Sequence, residues 1–187
     1  TALLAANPNR KGFAVRNDAT TVLYIQRGGA ASAASFIQVQ PGGGYYLNDG
    51  PGDNPPANIE QIPDAVPRVE PLRPANMRPY TVMGQTYTPM TRVAPYKERG
   101  IASWYGRRYH DQKTSSGEIY DMYAMTAAHK TMPLPSYARV RNPANGREVV
   151  VRVNDRGPFH ADRIIDLSYT AAWKLGYASS GSAQVEG

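Results

Sequence analysis

One stretch of this sequence ends a strong β-strand pattern at a carboxylate. Residues 149–153 are mostly valine, a β-branched run typical of a strand. The five residues after it favour a turn: Asn154, Asp155, Arg156, Gly157 and Pro158. A rigid strand that stops at a turn presents a side chain at the rim of the fold, and Asp155 lies at that point. The alternative is that Asp155 only caps the turn through its own backbone.

The composition limits the kinds of function. The chain has 187 residues, a net charge of +6 and no cysteine. It therefore has no disulfide framework, thiol nucleophile or thiolate metal site, and its three histidines lack the carboxylate spacing of a metal centre. The charge favours an anionic partner such as nucleic acid, a membrane surface or an acidic polysaccharide. No apolar run approaches the roughly 18 residues of a membrane span, and the short apolar start is not a signal peptide.

The first part of the chain, residues 1–46, has the pattern of short strands separated by glycine turns. Strand-like runs occur at 12–16, 21–26 and 35–40, which predicts a three-stranded meander. A piece of this size is marginally stable alone and needs a partner surface. Its scattered basic residues are interpreted as solvated.

The second part, residues 47–95, is rich in proline, with ten prolines among its 49 residues. Proline fixes φ and removes a hydrogen-bond donor, so neither helix nor sheet extends far. We expect an extended polyproline II linker that acts as a semi-rigid spacer. A ligand for a proline-recognition domain is the alternative.

The third part, residues 96–177, has the pattern of a compact domain with many short strands and one helix. An Asn-Gly turn at 145–146 predicts a hairpin that leads into the valine strand. Ser168 is placed to cap the helix, and Gly176 to end it. These elements predict a small β-barrel. The Ser/Gly-rich residues 178–187 are predicted to be a flexible tail.

Six motifs occur in a fixed order across this domain. They are Ala-Ser-Trp-Tyr-Gly at 102–106, Thr114 to Glu118, Thr-Ala-Ala-His at 126–129, Asn-Gly-Arg at 145–147, residues 149–159, and Arg-Ile-Ile-Asp-Leu-Ser at 163–168. In these motifs the domain resembles the rare lipoprotein A family, septal lytic transglycosylases of bacterial cell walls. The resemblance implies a mainly β fold, a six-stranded double-psi β-barrel with one short helix. Residues 45–53 also resemble the lead-in of family members.

The resemblance has limits that concern anchoring and targeting. The lipidated cysteine usual near the start of family members is absent, and so is a C-terminal peptidoglycan-binding repeat. Residues 1–44 have no counterpart in the family. We therefore expect a fragment, a fusion or a divergent relative. The resemblance implies a monomer in the periplasm or cell envelope that acts on peptidoglycan glycan strands, with no nucleic-acid partner and no cofactor.

The implied reaction needs one acid. Ordinary glycosidases use two carboxylates. In a lytic transglycosylase one acid protonates the glycosidic oxygen and then accepts the proton of the C6 hydroxyl that attacks C1, which gives a 1,6-anhydro sugar. Asp155 is our candidate for this acid. The role requires a pKa raised toward working pH, and Arg152 and Arg156 would oppose that if they faced it. Strand alternation puts Arg152 on the other face from Asp155 if the strand is regular that far.

The family also places Glu118 and His129 at the catalytic site. Glu118 would raise the pKa of Asp155 or bind a sugar hydroxyl, and His129 would hydrogen-bond the carboxyl group or the substrate. The alternatives are a solvated glutamate and a structural histidine. We predict that both converge with Asp155 on one groove. Four residues are expected to contact substrate: Trp104, Tyr105, Ser116 and Arg156. The two aromatic residues would stack on sugar faces, with the alternative that one of them belongs to the core.

Two functions of different class fit these residues. One is an endolytic enzyme that cleaves peptidoglycan strands, and the other is a non-catalytic wall-binding module, since similar barrels in expansin-like proteins bind polysaccharide. The combination of Asp155, Glu118 and His129 favours the enzyme, because a binding groove needs aromatic residues more than a converging acid. Nucleic-acid binding rests on charge alone.

Overall fold

The structure is a computed structural model that describes residues 49–187 and, before them, the backbone of two strands. These are β1 (Leu23–Gln26) and β2 (Phe36–Val39), which pair antiparallel. They coincide with the second and third strands of the predicted meander. The first predicted strand, at 12–16, lies outside the described residues.

The domain that carries the motifs is a closed six-stranded barrel with one α-helix, which confirms the predicted fold class. A small hairpin precedes it, formed by β3 (Tyr80–Val82) and β4 (Gln85–Tyr87). The barrel strands are β5 (Arg99–Tyr105), β6 (Thr126–His129), β7 (Ser136–Arg141), β8 (Glu148–Asp155), β9 (Arg163–Ser168) and β10 (Ser182–Glu186). Around the barrel they are ordered β10-β5-β9-β6-β8-β7, and β6–β8 and β5–β9 are the parallel pairs.

The barrel core follows from strand alternation. Val149, Val151 and Val153 of β8 are almost completely buried, while Val150 and Arg152 between them are half-buried. Alternate residues of a strand point to opposite faces, so the three valines fill the interior. The predicted hairpin is present, because β7 and β8 pair antiparallel across the Asn-Gly turn. Gly146 at that turn has φ +74°, a conformation that favours glycine.

The helix α1 (Tyr169–Lys174) closes one end of the barrel. Its cap is the predicted one: the hydroxyl of Ser168 accepts the backbone N–H of Ala171 at 3.3 Å. The buried face of the helix includes Ala171 and Ala172, and Leu175 just beyond it is also buried. These residues join the valines of β8 in one core.

The prediction of a flexible tail at 178–187 is wrong. Residues 182–186 form β10, which pairs antiparallel with β5 over five residues and meets β7 at Glu186 and Arg141. Its sequence, Ser-Ala-Gln-Val-Glu, has one large apolar residue, Val185, which is buried. The strand signal is weak because the strand is stabilised by pairing on an otherwise open barrel edge. β10 is therefore the sixth strand of the barrel.

The proline-rich segment is not a free spacer. We call residues 49–98 the belt, since this segment runs over the barrel surface and is hydrogen-bonded to it at several points. Backbone N–H groups of Ala65, Arg73 and Met90 donate to carbonyls of Val150, Leu134 and Thr131 at 2.8–3.0 Å. β6 pairs with β8 only from Arg152 onward, so the belt covers the part of the β8 edge that β6 leaves open. The belt brings its own side chains to the rim of the barrel.

The lead-in at 49–53 packs closely on the end of β5. A Cβ atom at Gly106 would lie 2.6 Å from the carbonyl oxygen of Gly50, so a larger residue would push the lead-in away. The carboxylate of Asp49 accepts the backbone N–H groups of Gly106 and Arg108 at 3.0 and 3.2 Å. Burial raises the pKa of this carboxyl group.

Candidate active site

Asp155 reaches the rim of the barrel because β8 is irregular at its end. In the parallel pairing of β6 with β8, Ala127 faces Val153 and Ala128 faces Asp155, so Asn154 is skipped. Such a β-bulge redirects the side chains that follow it. A regular strand would aim Asp155 into the core like Val151 and Val153, whereas in the structure it is half-buried. The bulge is what presents this carboxylate.

Only one oxygen of the Asp155 carboxylate is held by the protein. Its Oδ1 accepts the backbone N–H of Ser115 at 2.7 Å, the hydroxyl of Ser115 at 2.6 Å and the backbone N–H of Arg156 at 2.8 Å. Its Oδ2 accepts no hydrogen bond from residues 49–187, and no ion pair in that range involves Asp155. The carboxylate is therefore fixed in orientation, with one oxygen left for a ligand.

Glu118 is held in a charged network instead. Its two oxygens accept both terminal nitrogens of Arg152 at 2.6 and 2.9 Å, and Oε2 also accepts the side-chain amide of Asn154 at 2.9 Å. These bonds favour the ionised form, and the Arg152 guanidinium lowers the pKa of Glu118 below its usual range. Arg152 binds Glu118 and has no hydrogen bond to Asp155 among residues 49–187, although the bulge at Asn154 removes the regular alternation on which that expectation depended.

A second carboxylate from the belt completes this network. Glu70 accepts Nε and Nη2 of Arg152, both at 2.9 Å, so Arg152 lies between two glutamates. The hydroxyl of Tyr137 also donates to Glu70. The bonds from Arg152 lower the pKa of Glu70 to about 2. Both glutamates are therefore anions near neutral pH and are poor proton donors.

His129 is buried and neutral. Its Nδ1 accepts the backbone N–H groups of Thr131 and Met132, both at 3.0 Å, which places the ring proton on Nε2. Nε2 lies 3.3 Å from the Tyr96 hydroxyl and 3.6 Å from Oε2 of Glu98. Burial lowers the pKa of His129 to about 4, against the opposing effect of Glu98.

The structure brings two of the three predicted site residues together through one loop. Ser115 and Glu118 lie on the same loop, and this loop contacts Asp155 at one end and the Arg152 network at the other. The His129 ring lies instead in a cavity of about 640 Å³ whose wall includes Tyr96 and Glu98 of the belt. The contact of His129 with the neighbourhood of Asp155 is made by its backbone oxygen, which accepts Nη1 of Arg156 at 3.1 Å. Convergence of His129 with the other two stays a prediction.

The four predicted substrate contacts are all engaged with the protein. Trp104 is 7% exposed, and its indole N–H donates to the carbonyl of Ala178 at 3.0 Å. Tyr105 is 8% exposed and stacks on Tyr120, with ring centroids 4.1 Å apart. Ser116 is 3% exposed and its hydroxyl pairs with that of Thr114 at 3.0 Å. In this structure these three support the rim from within.

Arg156, the fourth, is a connector. Its guanidinium donates to three backbone carbonyls: His129 at 3.1 Å, Met132 at 2.5 Å and Asn76 at 2.8 Å. Burial lowers the pKa of Arg156 from its ordinary value. The guanidinium thus ties the belt to the end of β6, directly beside Asp155.

Four residues that shape this site are not among the candidates that the sequence suggests: Glu70, Asn76, Ser115 and Asn154. Asn154 lies in the valine–turn motif, and Ser115 lies in the polar loop that precedes Glu118. Both are sequence neighbours of candidate residues, and that position is the signal that could have identified them. Glu70 and Asn76 lie in the belt, which had been interpreted as a spacer. Only the path of the belt over the barrel shows their proximity.

Two classes of site receive no support from the described part of the chain. Between residues 49 and 187 no three His, Asp or Glu side chains are grouped as a metal ion would require. No helix in the same range is long and apolar enough to cross a membrane.

Comparison with known proteins agrees with the barrel and extends beyond it. Residues 97–186 match the family described as lytic transglycolase. The chain is 50% identical over 145 residues to the endolytic peptidoglycan transglycosylase RlpA of Vibrio cholerae, covering 78% of this chain and 55% of that protein. The proteins of the same name from Pseudomonas aeruginosa and Neisseria meningitidis are 57% and 58% identical over 129 and 123 residues. Those matches cover 69% and 66% of this chain, and 38% and 52% of the relatives.

The match therefore spans about half or less of the length of these relatives. Among solved structures, Streptomyces papain inhibitor (SPI) aligns with 49% of this chain and 92% of its own, at 22% identity and a TM-score of 0.36, which is too low to support an argument. The sequence relatives and the family model agree with each other and with the six motifs. The chain belongs to the rare lipoprotein A family, with its lytic transglycosylase barrel at residues 97–186.

Proposed function

We propose that this chain is an endolytic peptidoglycan transglycosylase in which Asp155 is the single acid and base. One observation carries the proposal. On a barrel of this family, the rim carboxylate of Asp155 has Oδ1 fixed by three hydrogen bonds, while Oδ2 has no partner among residues 49–187. A carboxyl group held this way has one oxygen for positioning and one for proton transfer.

In the proposed reaction Asp155 acts twice. Protonated on Oδ2, it donates its proton to the glycosidic oxygen between N-acetylmuramic acid and N-acetylglucosamine, and the bond from C1 to that oxygen breaks. The C6 hydroxyl of the muramoyl residue then attacks C1 and gives its proton back to Oδ2. The carboxyl group returns to its starting state, water takes no part, and the product ends in a 1,6-anhydro sugar.

Glu118 supports this reaction without transferring the proton. Its pairing with Arg152 keeps it ionised, so it is not the proton donor of the proposed reaction. The same pairing draws Arg152 away from Asp155, where the cation would oppose protonation. We propose that the Glu118–Arg152–Glu70 network sequesters this arginine.

His129 has a different role in the proposal. It is neutral above about pH 5, since burial lowers its pKa to about 4, so it does not add a positive charge near Asp155. Its Nε2–H faces the cavity beside β6 and meets the Tyr96 hydroxyl at 3.3 Å, which a substrate acceptor would have to replace. We propose that His129 binds an uncharged acceptor of the substrate or fixes the end of β6, from which Ala128 pairs with Asp155.

The proposed substrate is the peptidoglycan glycan strand. We propose that the protein binds it as a monomer in the periplasm or cell envelope. Trp104, Tyr105, Ser116 and Arg156 stay proposed as substrate contacts, with direct contact requiring a shift of the rim that exposes them. Without such a shift they act by supporting the loop that carries Ser115.

Digestion of purified peptidoglycan sacculi, followed by mass spectrometry of the soluble products, tests the proposal. Muropeptides or glycans ending in 1,6-anhydro-N-acetylmuramic acid are expected, and products with a free reducing end would indicate hydrolysis instead. If the chain binds sacculi and releases nothing, the non-catalytic wall-binding function replaces the enzyme.

A further inference from the structure

The position of Asp155 depends on the loop that carries Ser115. Ser115 supplies two of the three hydrogen bonds to Oδ1, and it is exposed. Within the loop, the backbone N–H of Thr114 donates to the backbone carbonyl of Glu118 at 2.7 Å. The backbone N–H of Gly117 donates to the carbonyl of Thr114 at 2.9 Å. These bonds close a tight turn, and the bonds from Arg152 and Asn154 to Glu118 tie the Glu118 end of the turn to β8.

The belt supplies a second anchor, at Ser115 itself. The side-chain amide of Asn76 donates to the carbonyl of Ser115 at 3.1 Å, across 39 residues of sequence. Asn76 lies in a short 3-10 helix, Pro74–Met77, and its backbone N–H donates to the carbonyl of Arg73 at 3.0 Å. The backbone N–H of Arg73 in turn donates to Leu134 of the barrel at 2.9 Å. Asn76 therefore connects the acid loop to a fixed part of the barrel.

The contacts of Asn76 close a ring of hydrogen bonds around the acid. Ser115 binds Oδ1 of Asp155, and Asn76 binds the carbonyl of Ser115. The carbonyl of Asn76 accepts Nη2 of Arg156 at 2.8 Å, and Arg156 is the covalent neighbour of Asp155. The ring thus begins at Asp155, the last residue of β8, and ends at Arg156, which follows it. A change in any member shifts the carboxylate relative to the strand.

We propose that Asn76 is a positioning residue for the transglycosylase reaction, acting through Ser115 to hold Asp155. The belt would then be part of the catalytic device although the proposed general acid, Asp155, lies in the barrel. This inference rests on the proposed function of Asp155.

The test uses the full chain with two substitutions at Asn76. Asn76→Ala removes the donor, and Asn76→Asp removes it with almost no change of shape at neutral pH. Each is expected to lower kcat on soluble glycan strands by about 10- to 100-fold with little change in KM, since misplacement of a catalytic group by about 1 Å costs up to 100-fold. The deficit of Asn76→Asp relative to wild type should shrink as pH falls toward about 4, where a protonated Asp donates again.

Asn58→Ala is the matched control. Asn58 also borders a 3-10 helix of the belt, Ile59–Gln61, and its amide donates only to the exposed side chain of Gln61 at 3.2 Å. This control should keep wild-type kcat, KM and pH profile. If Asn76→Ala matches Asn58→Ala in all three, Asn76 is an ordinary surface contact and the inference fails while the proposed function stands.

A measurement independent of activity separates the two proposals further. Amide hydrogen exchange at Ser115 should accelerate at least about tenfold in Asn76→Ala and not in Asn58→Ala, because the loop loses its anchor at Ser115. Unchanged protection of Ser115 overturns the inference whether or not the wild-type chain cleaves peptidoglycan. Failure of the wild-type chain to release any product, with Ser115 deprotected in Asn76→Ala, overturns the proposed function and its catalytic consequence together.

Discussion

Ser115 donates both its backbone N–H and its hydroxyl to the same oxygen of Asp155, at 2.7 and 2.6 Å. The two residues are 40 positions apart in sequence and meet only because the barrel brings a surface loop to the end of β8. Two donors from one residue fix the carboxylate in direction as well as position. The arrangement leaves Oδ2 as the oxygen on which a proton can be carried to a substrate.

Replacing the acid is the most direct prediction. Asp155→Asn keeps an oxygen that accepts the three donors now bound to Oδ1, so we expect the fold and most of the glycan affinity to persist. The amide cannot donate and recover a proton, so release of anhydro products should fall by roughly 100- to 10,000-fold or more. Product release from sacculi and a thermal melt check this outcome.

The control for that experiment is Asp53→Asn, at a carboxylate whose side chain is 86% exposed and pairs with Arg107. It should keep full activity. A variant Asp155→Asn that melts normally and still releases anhydro products near the wild-type rate would make Asp155 a turn residue. Glu118 is ionised and would be a poor proton donor in its place, so the reaction would need another acid.

The two neighbouring serines of the loop should behave differently. Ser115→Ala removes one of the hydrogen bonds to Oδ1 while the backbone N–H remains, and we expect kcat to fall about 10-fold with at most about 1 kcal/mol lost in stability. Ser116→Ala removes a buried hydroxyl paired with Thr114, so it should cost about 1–3 kcal/mol by leaving that partner unpaired. Kinetics on glycan strands and urea denaturation measure the two effects.

A reversed pattern would contradict this assignment. If Ser116→Ala lowers kcat more than Ser115→Ala at equal stability, Ser116 contacts substrate as the sequence first suggested. The orientation of Asp155 would then depend on the backbone N–H groups alone.

Local patterns predicted the elements that local forces determine. The valine strand, the Asn-Gly hairpin and the Ser168 cap were all visible, because each depends on residues within a few positions of one another. The weak strand β10 was not, since Val185 is its only large apolar residue and its pairing with β5 spans the whole domain. The bulge at Asn154 was equally invisible, because it is defined by register against β6.

The candidate site follows the same rule. Asp155 could be found from its place at a strand end, and Glu118 and His129 through resemblance to a family. The belt residues that bind Arg152 and Arg156 beside these candidates could not be found in this way. Glu70 meets Arg152 across 82 positions, and Asn76 meets Arg156 across 80. Proline content suggested that the belt was a spacer, whereas its remaining N–H groups bind barrel carbonyls.

The network around Arg152 predicts how stability changes in acid. The pKa of Glu70 is lowered to about 2, so its stabilising contribution is complete above its unfolded pKa near 4.5 and is lost as pH falls from there toward 2. Glu70→Gln should therefore be less stable than wild type at pH 7, and its melting temperature should decline less between pH 4.5 and 2. Thermal melts across that range measure the difference.

Glu60→Gln is the matched control, at an exposed glutamate of the belt. It should follow the wild-type profile. If Glu70→Gln also follows the wild-type profile, the pairing of Glu70 with Arg152 contributes nothing to stability in solution. Glu118 alone would then hold Arg152 away from Asp155.

Burial of neutral His129 predicts a second loss of stability on acidification, which begins at a higher pH than the loss caused by Glu70. Its pKa is about 4 in the folded protein and near 6.5 when unfolded, so between these values the unfolded state binds more protons. Stability therefore falls as pH decreases from about 6.5 to 4, above the window of Glu70. His129→Asn keeps an acceptor near the position of Nδ1 for the N–H groups of Thr131 and Met132, and it cannot be protonated. The variant should lose the dependence on pH in this window, as measured by urea denaturation at half-unit steps of pH.

His160→Asn provides the comparison, because His160 is exposed. It should retain the wild-type decline between pH 6.5 and 4. If His129→Asn retains it as well, His129 is solvated in solution and its ring is free to approach the groove of Asp155. Activity then discriminates further: a His129→Asn variant that loses as much product release as Asp155→Asn makes His129 part of proton transfer, whereas a smaller loss agrees with binding or with support of β6.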